Sequence, residues 1–345
     1  MEDLTERQRL LLSLVIHEYI RTAAPVASKH MVEQYSLDFS SATVRNELAE
    51  LTEKGYLRQP HLSAGRVPTE EGYRLFVRNL VQDIELPEAM RRTISHQFFQ
   101  MRQDVEQWTR LAASVLAHQS RGASLVTIPH PDQALFKHME LIGARGRQVL
   151  MVLVLLGGEI LQHLVALSEP VSQEKLSEIA DHLTHYLKNQ NANQINGLSL
   201  ELDGLEKEIF DMVLNEMQEA DSLVSGEVVL DGITNVLSQP EFSGSEEARR
   251  ALRVLEEKPM LQHLLSQTAL NNTAANGVQV IIGGEGAWES LSQCSVVLAR
   301  YGTPGLATGT LGVLGPMRMP YGRTISIVRF VSGLLSDLVN DTMVE

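Results

Sequence analysis

Through the first eighty residues apolar positions recur at helical spacing, and the breaks fall at short turn signals. Leu10, Leu11, Leu14, Val15 and Ile20 predict a core helix to about Arg21, with Thr5 and Gln8 spaced as an N-cap and its reciprocal partner. Ala23-Ala24-Pro25 breaks it, and Ser28 opens a short second helix, Lys29 to Tyr35. Leu37-Asp38-Phe39 turns into a third, starting at Ser40 or Ser41, where a hydroxyl accepts an otherwise unpaired backbone N–H. Its buried stripe is Val44, Leu48 and Leu51. The opposite face carries Ala42, Asn46 and Ala49, flanked by Thr43 and Glu50, with Arg45 at the border.

Gly55 closes this helix. Tyr56 to Gln59 reads as a short strand, Pro60 to Gly65 as a loop, and Arg66-Val67-Pro68 as the return. Thr69 then caps a helix with Glu70 and Glu71 in its first turn, where the helix dipole favours acids. Helix, ribbon and helix in that order predict a winged helix-turn-helix, a shape that lays a helix in a DNA groove. Two alanines allow close backbone approach, Thr43 and Asn46 suit base edges, and Arg45 reaches guanine or phosphate. Arg58, His61, Ser63 and Arg66 lie along the wing, suited to phosphate or minor-groove contact. Lys29 and Ser41 complete the candidate DNA-binding set. A solvated amphipathic helix would explain the third helix alone. It does not explain a wing with basic residues at both ends and little apolar content.

Beyond Leu80 the pattern changes. One long helix is expected from Pro87 to about Ser120. Along it Ile94, Phe98, Met101, Val105, Trp108, Ala112 and Val115 form a heptad-like seam. That seam fits either a helix pair across a dimer axis or a helix covering its own sheet, and the second reading is preferred. Strand patterns follow at 124–128, 138–144, 148–156 and 159–167, with Gly157-Gly158 as a hairpin signal. A helix is expected from Ser172 to about Asn189, another over 205–220, a strand at 227–230 and a charged helix over 245–257. Late strands fall at 277–282, 295–300 and 306–314, before a closing helix over 321–339. The polar runs Gln190 to Gly197 and Asn271 to Asn276 read as boundaries of an inserted segment. The fold class expected is α+β and multidomain.

Length and charge refine this picture. A chain of 345 residues exceeds one ordinary core, so two or three domains are expected. No apolar run reaches the about 18 residues that would suggest a membrane span. The opening MEDLTERQR lacks the apolar region of a signal peptide, and Cys294 stands alone, which together point to the cytoplasm. The formal charge of −14 opposes diffuse attraction to phosphates. Yet residues 1–80 hold 10 Lys+Arg against 11 Asp+Glu, so nearly all the excess acid lies elsewhere.

The run SSATVRNELAELTEKGYLRQPHLSAGRVPTEEGYRLFV closely resembles the heat-inducible transcription repressor family HrcA. LTERQRLLLSLVIHEYI, PVASKHMV, SQCSVVLARYG and GTLGVLGPMRMPYGRTISIV resemble its other ordered blocks, and Ala27 stands where the family usually has Gly. The resemblance implies a winged helix over 1–85 and a GAF-like domain in two parts, 86–190 and 269–345, interrupted by an inserted dimerisation domain at 191–268. It also implies a homodimer that represses chaperone operons at an inverted-repeat operator called CIRCE, with activity maintained by the chaperonin GroEL. A different class of function is a regulator that binds a metabolite in the GAF-like domain.

Other chemistry was weighed and set aside. Gly283-Gly284-Glu285-Gly286 follows a strand but lacks the residues of a phosphate loop, so a tight turn is expected. His182 and His185, even with His163 near, lack the carboxylate or thiolate that usually completes a metal site. No catalytic arrangement appears, and no enzyme, metal or cofactor is expected.

Overall fold

The computed structural model describes residues 4–79, 84–101, 104–130, 134–156, 160–200, 202, 204–222, 228–242, 253, 255, 257, 261, 265, 277–283, 291, 294–303 and 306–343. It is a mixed α+β chain with several sheets. Its contacts divide it into two compact units, one of 1–128, 227–301 and 309–345, the other of 129–226 and 302–308.

In the first unit the N-terminal pattern folds as expected. α1 (Glu6–Thr22) opens with Thr5 and Gln8 in a reciprocal capping box. α2 (Ser28–Tyr35) follows, and α3 (Ser41–Glu53) starts at Ser40, whose hydroxyl accepts from the Thr43 N–H at 3.1 Å. Val44, Leu48 and Leu51 are buried against α1 and α2. The buried Glu18 carboxylate joins the first two helices. It accepts from Arg21, from Tyr35 at 3.0 Å, and pairs with His30 Nε2 at 3.0 Å. Arg21 chiefly holds its pKa below the ordinary carboxylate value, against the opposing effect of burial.

After α3, Gly55 adopts a positive φ of 82° and the chain enters a short ribbon. β1 (Leu57–Arg58) pairs antiparallel with β2 (Val67–Pro68), Leu57 opposite Pro68. A third segment joins that was not expected: Val26 and Arg66 exchange backbone hydrogen bonds of 2.9 and 2.8 Å. α4 (Glu70–Asn79) begins where the Thr69 hydroxyl accepts from the Gly72 N–H.

The expected single helix over 87–120 is instead two, α5 (Glu88–Gln100) and α6 (Val105–Ser120). Asp104 is the reason: its carboxylate accepts from the Gln107 N–H at 3.0 Å and starts a new helix. The turn lets both halves of the seam meet the protein's own interior, with Ile94, Phe98, Trp108, Ala112 and Val115 all buried in this chain. The seam therefore covers its own core.

α6 packs on β3 (Ala123–Thr127), a member of a five-stranded sheet. The others are β7 (Val228–Asp231), β8 (Val278–Ile282), β9 (Cys294–Thr303) and β10 (Ala307–Pro316), in the order β7-β3-β10-β9-β8. One face buries Leu125, Val296 and Leu298 with Val236, from α10 (Ile233–Leu237), and Phe242. The closing helix α11 (Tyr321–Met343) packs against α6 and β8. α4 also reaches β8, where the Arg74 guanidinium donates to the Ile282 carbonyl at 3.0 Å. Beside it the Tyr73 and Tyr321 rings lie 6.0 Å apart, both buried.

The second unit is an antiparallel meander of β4 (Phe136–Arg145), β5 (Gln148–Leu155) and β6 (Ile160–Ala166). Alternate residues Met139, Leu141, Met151 and Leu153 face a core shared with α7 (Gln173–Leu187), α8 (Ala192–Asn196) and α9 (Gly204–Ser222). The other set of alternate residues leaves an apolar outer face. Ile142 pairs with Leu150 and Leu150 with Leu164, while Val154 pairs with Ile160.

The expected domain boundary at 190–191 lies inside this unit. Asn189 N–H donates to the Phe136 carbonyl at 2.7 Å, and Phe136 N–H donates to that of Gln190 at 3.0 Å. Asn191 and Gln194 form a capping box for α8, which buries Ala192 and Ile195. The polar run satisfies backbone groups of the unit instead of solvating a linker. The expected helix over 245–257 lies outside the described residues except at three positions, and the polar run 271–276 lies wholly outside them.

Candidate nucleic-acid interface

The exposed surface of α3 is set by which of its side chains α1 occupies. Arg7 donates to the buried Glu47 carboxylate from Nε at 2.6 Å, and Gln8 Nε2 donates to Glu50 at 2.7 Å. Two of the helix's acids are thereby engaged on the α1 side. Ala42, Arg45 and Asn46 remain exposed near its N-terminal end. Thr43 is half-buried and its hydroxyl shares a 2.9 Å hydrogen bond with Ser40. Ser41 lies 3.4 Å from the Ser28 hydroxyl at the start of α2, and Lys29 is exposed at 3.9 Å from Glu33.

On the ribbon, Arg58, His61 and Ser63 are exposed. Arg66 differs from its expected part: it is half-buried, and its Nε donates to the Thr52 hydroxyl of α3 at 2.9 Å. That arginine fastens the ribbon to the helix with at least one of its donors.

A hollow of about 320 Å³ lies between ribbon and helices, lined by Ser28, Arg45, Leu48, Gln59, Leu62, Ser63 and Arg66 among others. It brings Arg45, Ser63 and Arg66 to one surface; Lys29, Thr43, Asn46, Arg58 and His61 do not line it. Ser28, Gln59 and Leu62 were not among the expected site residues. Gln59 lies between a strand and a Pro-containing loop, a place where a side-chain amide commonly organises a turn, and that was the available signal.

The histidines set aside earlier part company in the second unit. His163 pairs with Glu216 at 2.5 Å and His182 with Glu206 at 3.1 Å, two separate contacts on α9. Among the described residues no group of three or more metal-ligating side chains comes together.

Fold and surface together define a class: an α+β chain of two compact units, with an exposed helix start and a short ribbon joined around one hollow. A family model described as the HrcA protein C terminal domain matches residues 106–325. The chain belongs to the HrcA family of heat-inducible transcription repressors. The member from Roseiflexus castenholzii is 42% identical over 98% of this chain and 95% of its own length. That from Chloroflexus aurantiacus is 39% identical, covering 98% of this chain and 94% of its own. A crystal structure of a hypothetical protein shares the fold with a TM-score of 0.58, at 23% identity and 98% coverage of each chain.

Proposed function

We propose that this chain is a sequence-specific DNA-binding repressor of chaperone operons, acting as a homodimer on an inverted-repeat operator of the CIRCE type. The N-terminal unit of α1–α4 and the ribbon is its winged helix, and the five-stranded sheet with its helices is its GAF-like body. Arg45 and Asn46 read bases, and Arg58, His61, Ser63 and Lys29 position the backbone. The observation that carries the reading is the α3 surface: two of its acids, Glu47 and Glu50, are engaged by α1, while Arg45 and Asn46 stand exposed and Arg45 lines the hollow shared with the ribbon.

Dimerisation draws support from the outer face of β4–β6. Ile142, Ile160 and Leu164 are each about half exposed there, and Leu150, Val152 and Val154 of the central strand are partly exposed between them, an apolar surface of the kind that marks association sites. Two copies related by a two-fold axis match two halves of a palindrome. Family membership supports control by heat and by GroEL, through depletion of the folded, DNA-competent fraction when the chaperonin is occupied.

Fluorescence anisotropy with an inverted repeat, a single half-site and a scrambled duplex tests this. The reading requires tight, steeply salt-dependent binding to the repeat alone. Equal affinity for all three duplexes overturns it. Adding GroEL to heated protein must restore operator binding if the chaperonin arm is right.

A further inference from the structure

Leu62 sits at the tip of the ribbon, 102% exposed as a residue, against 69% for Phe99 and 59% for Leu164. Single exposed leucines are ordinary on protein surfaces. This one sits on a hydrogen-bonded turn. Gln59 Nε2 donates to the Leu62 and Ala64 carbonyls, both at 2.9 Å, and the Ala64 N–H donates to the His61 carbonyl at 2.9 Å. The returning strand is anchored immediately behind. A Cβ on Gly65 would lie 2.3 Å from the Val26 carbonyl oxygen, so only glycine fits, and Arg66 makes both its backbone hydrogen bonds to Val26. Such a tip loses little conformational freedom on binding.

The hollow beside the tip joins it to α3. Arg45 of α3 and Leu62 of the ribbon both line it, together with Ser28, Gln59, Ser63 and Arg66. Hydroxyls, an amide and guanidinium groups are the donors a sugar–phosphate strand takes. A DNA backbone strand has the major groove on one side and the minor groove on the other. A strand seated in the hollow with Arg45 toward the major groove would leave the ribbon tip toward the adjacent minor groove.

We propose that the hollow seats one sugar–phosphate strand and that Leu62 is an apolar wedge, entering the minor groove beside each half-site and packing against sugars and a loosened base step. Apolar wedges of this size partly unstack such steps, most easily at flexible pyrimidine–purine steps. The inference rests on the DNA-binding reading above and adds a second point of sequence preference, read by deformability.

The test uses the full chain with an inverted-repeat duplex carrying 2-aminopurine at successive positions flanking each half-site. Wild-type protein should raise the fluorescence at one flanking step. Leu62→Ala should abolish that rise and weaken binding about tenfold. The slope of log K against log salt should stay unchanged, because no phosphate contact is lost. Leu62→Phe should keep the signal, and Gln59→Ala, which frees the tip, should lower affinity with Leu62 in place. Thermal melts of the Leu62 variants should stay close to wild type, since the residue is fully exposed. If wild type binds the repeat tightly while Leu62→Ala binds equally well and no flanking position responds, the wedge is wrong and the repressor reading stands. If wild type shows no preference for the repeat, both fall. A change in oligomeric state on Leu62→Ala with unchanged DNA affinity would assign the residue to a protein contact and overturn the wedge.

Discussion

Arg66 and Thr52 face each other across the angle between ribbon and helix, the arginine Nε donating to the threonine hydroxyl at 2.9 Å. The same hydroxyl donates to the Leu48 carbonyl one turn back in α3. One small side chain thus ties the returning strand of the ribbon to the body of the helix. Thr52→Val keeps the shape and removes the acceptor. The expected result is about 1 kcal/mol of lost stability, with operator affinity reduced several-fold although residue 52 is not one of the proposed DNA contacts. Chemical denaturation and anisotropy on the same samples check both parts. Unchanged affinity would show that the ribbon keeps its angle without the tie.

Arg45 and Arg58 should fail differently. Arg45→Ala should cost about 1–3 kcal/mol on the operator and relax preference at one base pair of each half-site. Arg58→Ala should weaken binding to every duplex alike and reduce the salt slope by about one. Titrations over a panel of single-base operator variants at several salt concentrations separate the two. Identical profiles would refute the division into base reading and backbone positioning.

Glu18 gives a stability prediction with a definite pH sign. Its folded-state pKa lies below the ordinary value, so it contributes stability above the unfolded-state pKa and loses it as pH falls through the lower folded value. Glu18→Gln should destabilise the N-terminal helices by about 1–3 kcal/mol at neutral pH, because Arg21, His30 and Tyr35 lose a shared charged acceptor. Urea melts at neutral pH and below the folded pKa should show the gap between variant and wild type closing in acid. A gap that persists there would place the effect in packing.

The outer face of the meander predicts the oligomeric state. Leu164 pairs across the sheet with Leu150 and is 59% exposed. Leu164→Asp should convert a dimer to monomer in light scattering while leaving the secondary structure intact. Binding to the full repeat should then fall to that of a half-site. A variant that stays dimeric would move the dimer contact elsewhere.

Local chemistry explains what the amino-acid sequence made readable. Thr5, Ser40 and Thr69 each cap a helix using a donor within three residues, so pattern and structure agree there. Asp104 belongs to the same chemistry, but the heptad spacing on either side masked it, and the seam read as continuous. The run Gln190 to Gly197 reads as a boundary by its polarity, whereas in the fold Asn191 and Gln194 cap a helix. Arg66 was out of reach for another reason. Its partner Thr52 lies 14 residues away, and only the ribbon's fold decides whether a guanidinium turns to the helix or to solvent. The double hydrogen bond from Gln59, which makes Leu62 a fixed point, is equally a product of three-dimensional closure.

The contact between Arg74 and the Ile282 carbonyl has a consequence for geometry. With Tyr73 and Tyr321 packed beside it, α4 is bolted to the edge of the five-stranded sheet in place of hanging from a tether. The ribbon and α1–α4 are thereby joined to the sheet within one compact unit. In the dimer proposed above, inserting about five base pairs between half-sites, roughly half a helical turn, should abolish binding, whereas about ten should cost far less.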